Sequence, residues 1–125
     1  MNTIICNSVE IVLKDEILYL VYPGQMPVLK DGVVWKKIDV AERPVYLLNV
    51  KQTDSGPTNE ETVTVKANQN EITEYLHQYC AFYMVLKMST DNGIFYIGTF
   101  DYPCVMEFTS DKIYDSYTFK AVSPA

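Results

Sequence analysis

Between residues 81 and 122 the chain runs through successive apolar, aromatic-rich stretches broken by short polar turns. In the first stretch Phe82, Met84, Leu86 and Met88 alternate with Tyr83, Val85, Lys87 and Ser89, a period of two that places the sets on opposite faces of a strand. Asp91-Asn92-Gly93 reaches positive φ at little steric cost, so this stretch and residues 94–100 are expected to form a β-hairpin. Gly98 interrupts the second stretch and signals a bulge or a close backbone approach. Pro103 sets a corner, and the peptide bond before it is a candidate for the cis form. Cys104, Met106 and Phe108 then alternate with Val105, Glu107 and Thr109, and beyond a polar turn Tyr117, Phe119 and Ala121 alternate with Thr118 and Lys120. Strands following one another through short turns predict an antiparallel meander.

The preceding residues carry the same signature with more interruptions. After a short apolar opening at residues 3–6, the runs 9–13 and 16–22 read as two strands around a charged turn at Lys14-Asp15, or as one long strand. Both faces of 17–22 are apolar, which suits a strand buried on each side or one lying at a protein–protein contact. Pro23-Gly24, Pro27 and Lys30-Asp31-Gly32 break the pattern before a strand over 33–40. There Val33, Trp35 and Lys37 share a face, and Trp35 is either a core anchor or an exposed binding aromatic. Arg43-Pro44 leads into the apolar run 45–50. Residues 52–61 are polar and contain Gly56-Pro57, the composition of an exposed loop or a long hairpin tip. Residues 62–66 alternate as a strand with one wet face.

A helical period occurs once. Ile72, Tyr75, Leu76, Tyr79 and Cys80 recur at i, i+3, i+4, i+7 and i+8, with Asn70 as a cap and Glu71 and Glu74 at the positive end. A short helix over about 71–80 is therefore expected. The fold class that follows is mainly β: a single domain over residues 1–125, an antiparallel sandwich or partly open barrel of about seven to nine strands with that one helix.

Charge and composition narrow the functional classes. The formal charge is −6, and the ten Lys and Arg residues are scattered, leaving no basic stripe to neutralise phosphates, so sequence-specific nucleic-acid binding is not expected. The first residues lack a positive n-region, and Lys14, Asp15 and Glu16 cut the only long apolar run, so neither a signal peptide nor a membrane span is expected and synthesis in the cytoplasm follows. Cys6, Cys80 and Cys104 are odd in number and widely spaced, which predicts buried free thiols rather than disulfides or a metal site.

Chemistry is sparse. His77 is the only histidine and lies off the apolar stripe, where a surface position is expected. A Cys80–His77 pair lacks an activating neighbour or an oxyanion hole. The many carboxylates suit a solvated acidic surface, although two facing each other across a cleft would permit acid–base work. The glycines stand apart, so no phosphate-binding loop is present, and Asp91-Asn92-Gly93 has a turn without enough oxygen ligands for calcium. No catalytic, cofactor or metal residues are assigned.

The aromatic content changes the picture. Ten tyrosines and five phenylalanines exceed what a 125-residue core needs, and tyrosine favours interfaces because it joins apolar area to a polar tip. Tyr83, Tyr96 and Phe100 fall on the face opposite Phe82, Met84, Phe95 and Ile97, so the sheet needs a cover on each side, from the chain itself or from a partner. Tyr83, Tyr96, Phe100, Tyr102 and Trp35 are the candidate interface residues.

The C-terminal pattern of short helix, strand, Asp-Asn-Gly turn and Gly98-Thr99-Phe100-Asp101-Tyr102-Pro103, closed by a final strand, resembles small β-rich neck and tail proteins of tailed bacteriophages. The resemblance covers about the last fifty residues and rests on turn placement. It implies a non-enzymatic structural protein that becomes part of a virion and assembles with its own copies or other structural proteins, often in rings. The alternative is a β-barrel or sandwich that binds a small molecule or peptide in a pocket lined by Trp35 and interior tyrosines. An enzyme using Cys80 with His77, or a carboxylate pair, is the third class.

Overall fold

The computed structural model describes residues 2–69 and 76–124. Its strands are β1 (Asn2–Ile5), β2 (Ser8–Leu13), β3 (Ile17–Val21), β4 (Met26–Leu29), β5 (Lys36–Lys37), β6 (Val45–Thr53), β7 (Gly56–Asn68), β8 (Met84–Thr90), β9 (Gly93–Ile97), β10 (Val105–Ser110) and β11 (Tyr114–Pro124). They form a five-stranded sheet in the order β1-β6-β7-β11-β10, a four-stranded sheet β5-β2-β8-β9 and the two-stranded β3-β4. All pairings are antiparallel, and the sheets do not close into a barrel. The mainly β, sandwich-like architecture agrees with the expectation, with eleven strands among the described residues, of which β6, β7 and β11 are longer than their alternating runs.

Alternation builds the core. Across the five-stranded sheet, register aligns Ile4, Tyr46, Val63, Phe119 and Met106 in one row and Val65, Tyr117 and Phe108 in the next. The facing sheet contributes Val9, Ile11, Met84, Leu86, Met88 and Ile97 to the same cluster. Outward positions such as Thr62, Thr64 and Thr118 keep hydroxyls toward water while their β-branched stems suit the pleat. One-residue slips would turn these rows inside out, which is why the register is well defined.

The other face of the four-stranded sheet is covered by the chain itself. Val12 and Val85 pack there with Ile17, and Leu20, Leu29, Val33, Trp35 and Phe100 close over them. Trp35 lies 6.0 Å from the Tyr96 ring, and Lys87 Nζ sits 5.6 Å above the indole. Both covers demanded by the two apolar faces are thus supplied by the β3-β4 hairpin and the 33–35 segment on one side and the large sheet on the other. Trp35→Ala is expected to lower stability by about 2 kcal/mol, less than for a fully buried ring because the indole is half-exposed. Urea unfolding checks this, and a change below about 0.5 kcal/mol would place Trp35 outside the packing.

Several local expectations are sharpened or corrected. Strands β2 and β3 do flank a charged turn, and that 3-10 turn over Lys14–Glu16 sends them into different sheets, with the Glu16 carboxylate accepting the Leu13 N–H at 3.0 Å. The strand over 33–40 shrinks to β5, because Trp35 leaves the ladder to cover the second core. Of the two readings of residues 52–61, the long hairpin tip is the one found: they form the far end of the β6-β7 hairpin, turning at Asp54-Ser55. Their polarity fits strands that outrun β1, tied by Lys51–Glu60 at 2.9 Å and Lys120–Glu60 at 3.4 Å. The meander is broken, since β9 and β10 lie in different sheets. The cis peptide among the described residues is Tyr22–Pro23, not the bond before Pro103.

Of the expected helix, residues 71–75 lie outside the described residues. His77–Ala81 forms a 3-10 turn, and Leu76 and Tyr79 are buried. Cys80 is exposed, because three residues per turn aligns i with i+3 and swings the next residue away from the core. Phe82 is also exposed, since it precedes β8 and escapes the alternation.

Candidate functional site

The corner between β9 and β10 creates the main surface feature. Gly98 has φ +96°, and a Cβ there would stand 3.2 Å from Cys104 N, Cys104 Sγ and Met84 O. Its bare backbone lets Met84 and Cys104 pair, with Met84 N donating to Cys104 O at 3.0 Å and Cys104 N to Met84 O at 2.8 Å. That bridge joins the two sheets and holds the 99–103 turn beside the start of β8. The turn is tied internally by Tyr102 N donating to Thr99 Oγ1 and Thr99 N to Tyr102 O, both at 3.1 Å.

An open groove of about 430 Å³ results, lined by Tyr83, Phe100, Tyr102, Pro103, Val105 and Val122 together with Lys14, Lys120 and Asp101. Tyr83 is 58% exposed, Tyr102 43%, Val105 41% and Val122 45%, so the apolar wall faces solvent rather than filling the core. Lys14 Nζ lies 6.0 Å from the centre of the Tyr83 ring.

Three of the five expected interface residues, Tyr83, Phe100 and Tyr102, meet in this groove. Trp35 packs in the second core with its ring against Tyr96 instead, and Phe100 touches both regions. Val105, Val122, Lys14 and Lys120 escaped sequence reasoning. The outward alternation of β10 and β11 was a signal for the first two, but the juxtaposition depends on the Val105–Lys120 register.

A second cluster surrounds Asp115, the buried charged residue of the core, 2% exposed. Its carboxylate accepts from Ser110 Oγ at 2.7 Å and Gln69 Nε2 at 3.2 Å, lies 2.9 Å from His77 Nε2, and has Tyr117 OH at 3.4 Å. Burial alone raises the Asp115 pKa, but the Ser110 and His77 hydrogen bonds, the His77 charge and Gln69 outweigh it and hold the carboxyl below its ordinary value. The expected surface histidine is therefore half-buried, its ring stacked on Phe108 at 4.1 Å and 12°.

The carboxylate stands between Ser110 and His77, an order unlike a nucleophile–base–acid relay, in which the histidine occupies the middle. Partial burial and Glu107 push the Cys80 thiol up, the opposite of what an attacking thiolate needs. Cys6 and Cys104 are buried free thiols, also raised by burial. Among the described residues, no three His, Cys, Asp or Glu side chains are placed to hold a metal, and no helix is long and apolar enough to cross a membrane.

Fold and surface together define an antiparallel β-sandwich carrying an open aromatic groove at a sheet-to-sheet corner. Compared by sequence and by structure, no family model, no curated protein and no solved structure matches the chain.

Proposed function

We propose that the protein is a non-enzymatic assembly component that works through protein–protein contacts made by the aromatic groove, in the neck or tail of a bacteriophage virion. The observation that carries the assembly reading is the side-by-side exposure of Tyr83, Tyr102, Val105 and Val122. A mostly apolar, tyrosine-bearing concavity has the anatomy of an interface centre. The virion placement is supported by the phage-like turn sequence 98–103, the same segment that supplies one wall of the groove.

The reading predicts concentration-dependent association of the purified protein in sedimentation velocity. Tyr83→Ser combined with Tyr102→Ser should weaken that association at least about tenfold, since each tyrosine at such a centre contributes about 1 kcal/mol or more. The urea midpoint should stay nearly unchanged, because neither ring belongs to the core. A protein that stays monomeric at millimolar concentration would overturn the self-association. Mass spectrometry of purified phage particles lacking the protein, with no capsid, portal or tail genes beside its gene, would overturn the virion placement.

A further inference from the structure

We infer that the groove receives the β10-β11 turn of a second copy, so that molecules join head to tail; the inference rests on the assembly reading above. The turn is a preformed knob. Asp111 Oδ1 accepts the Ile113 and Tyr114 N–H groups, both at 2.6 Å, and Asp111 N donates to Tyr114 O at 3.0 Å. These bonds present Ile113 at the tip, 65% exposed. A side chain held out by a fixed turn loses little freedom on docking.

Chemistry matches the knob to the groove. Ile113 would enter the apolar wall formed by Tyr83, Tyr102, Val105 and Val122. Its neighbours are Asp111 and Lys112, one charge of each sign, and the groove lining includes Lys14 and Lys120 against Asp101. Of the other exposed apolar tips, Tyr22 at the β3-β4 turn is 83% exposed but residues 22–27 contain no charge, and Val34 is 73% exposed but is followed by the like-charged Lys36 and Lys37. Ile94 is 56% exposed beside Asp91, which already accepts from Asn7 Nδ2 at 2.7 Å and lies 3.9 Å from Arg43. With Lys120 already tied to Glu60, the complementarity lies in Asp111 toward Lys14 and Lys112 toward Asp101, and it favours the β10-β11 turn.

Position gives the contact its consequence. Val105 and Lys120 pair at the groove end of the β10-β11 ladder, and Ser110 and Asp115 pair at the knob end. Five residue steps separate them, about 17 Å at the usual rise. Knob and socket are thus different patches at opposite ends of one rigid hairpin. A contact between unlike patches is heterologous, and repeating it yields a closed ring or an open filament rather than a two-fold dimer.

Mixing two complementary variants tests this. Ile113→Asp breaks the knob and keeps the socket; Tyr83→Ser/Tyr102→Ser breaks the socket and keeps the knob. Each should raise the dissociation constant, Ile113→Asp by about thirtyfold or more, while circular dichroism and urea unfolding stay native. Mixed in equal amounts, they should form heterodimers that grow no further, seen by native mass spectrometry. Undiminished assembly of Ile113→Asp would overturn the turn as occupant and leave the assembly reading standing. Folded monomeric variants that fail to form heterodimers would overturn the head-to-tail geometry. A wild-type chain that never associates would overturn the inference and the self-association together.

Discussion

Replacing Asp115 with alanine is expected to remove about 3 kcal/mol of folding stability, among the largest losses available to a single side chain of this protein. The carboxylate is the common acceptor for Ser110, Gln69 and His77 at the end of the core where β10, β11 and the 77–81 turn meet. Truncation empties a buried site and deprives half-buried His77 of its partner, and a buried group without its partner bears its desolvation penalty. Ser110 and Gln69 are exposed and can turn to water, and Gln69 Nε2 also reaches the Asp111 and Tyr114 carbonyls. The figure sits at the low end for a broken buried pair because the His77 side chain keeps 28% of its exposure and recovers some hydration. Asp115→Asn retains the shape and part of the acceptor capacity, so its loss should be smaller. Equilibrium urea unfolding of both variants measures this, and an alanine variant within 1 kcal/mol of wild type would show that the cluster contributes no net stability.

The same residue sets a pH dependence. The folded pKa of Asp115 lies below its ordinary value of about 3.9, so folding favours the ionised form. Its contribution is complete above that ordinary value and fades as pH falls through the lower folded value. Acid unfolding of the wild type should therefore steepen below about pH 4, and Asp115→Asn should lose that part of the slope.

What could be read from the residues follows from how local each cause is. Alternation in β8, β10 and β11 is local, and Met84, Leu86, Met88, Met106, Tyr117 and Phe119 are buried as their spacing requires. The Asp91-Asn92-Gly93 turn is local too, and it closes β8 onto β9 at Thr90–Gly93. Sheet membership is not local. Nothing in residues 8–21 states that β2 and β3 part, because one 3-10 turn makes that choice and tertiary packing rewards it. The groove is half legible for the same reason: tyrosine content singled out Tyr83 and Tyr102, but Lys14 and Val122 reach it only through long-range pairing. His77 and Asp115 are 38 residues apart, and no period connects a helix-like segment to a strand end. Polarity left loop and hairpin tip open at 52–61, since hydrophilic residues suit both an exposed loop and strands near solvent, and only the β6-β7 pairing decides for the hairpin.

Gly98 is the position where a single methyl group should do the most damage. Gly98→Ala is expected to cost about 2–4 kcal/mol from two additive causes. At φ +96° an L side chain is strained whatever the space around it. The added Cβ would also press on Cys104 N, Cys104 Sγ and Met84 O at 3.2 Å each, and two of those atoms are backbone groups of the bridge joining the sheets. Thiol removal separates the contributions: Gly98→Ala in a Cys104→Ala background relieves only the sulfur contact, so most of the loss should persist. Full rescue would mean that the bridge backbone yields easily and that the corner does not depend on the glycine. Because the bridge positions the 99–103 turn, the surviving folded fraction of Gly98→Ala should also associate more weakly than wild type, although residue 98 does not line the groove. Loss of stability with undiminished association would separate the corner from the assembly surface.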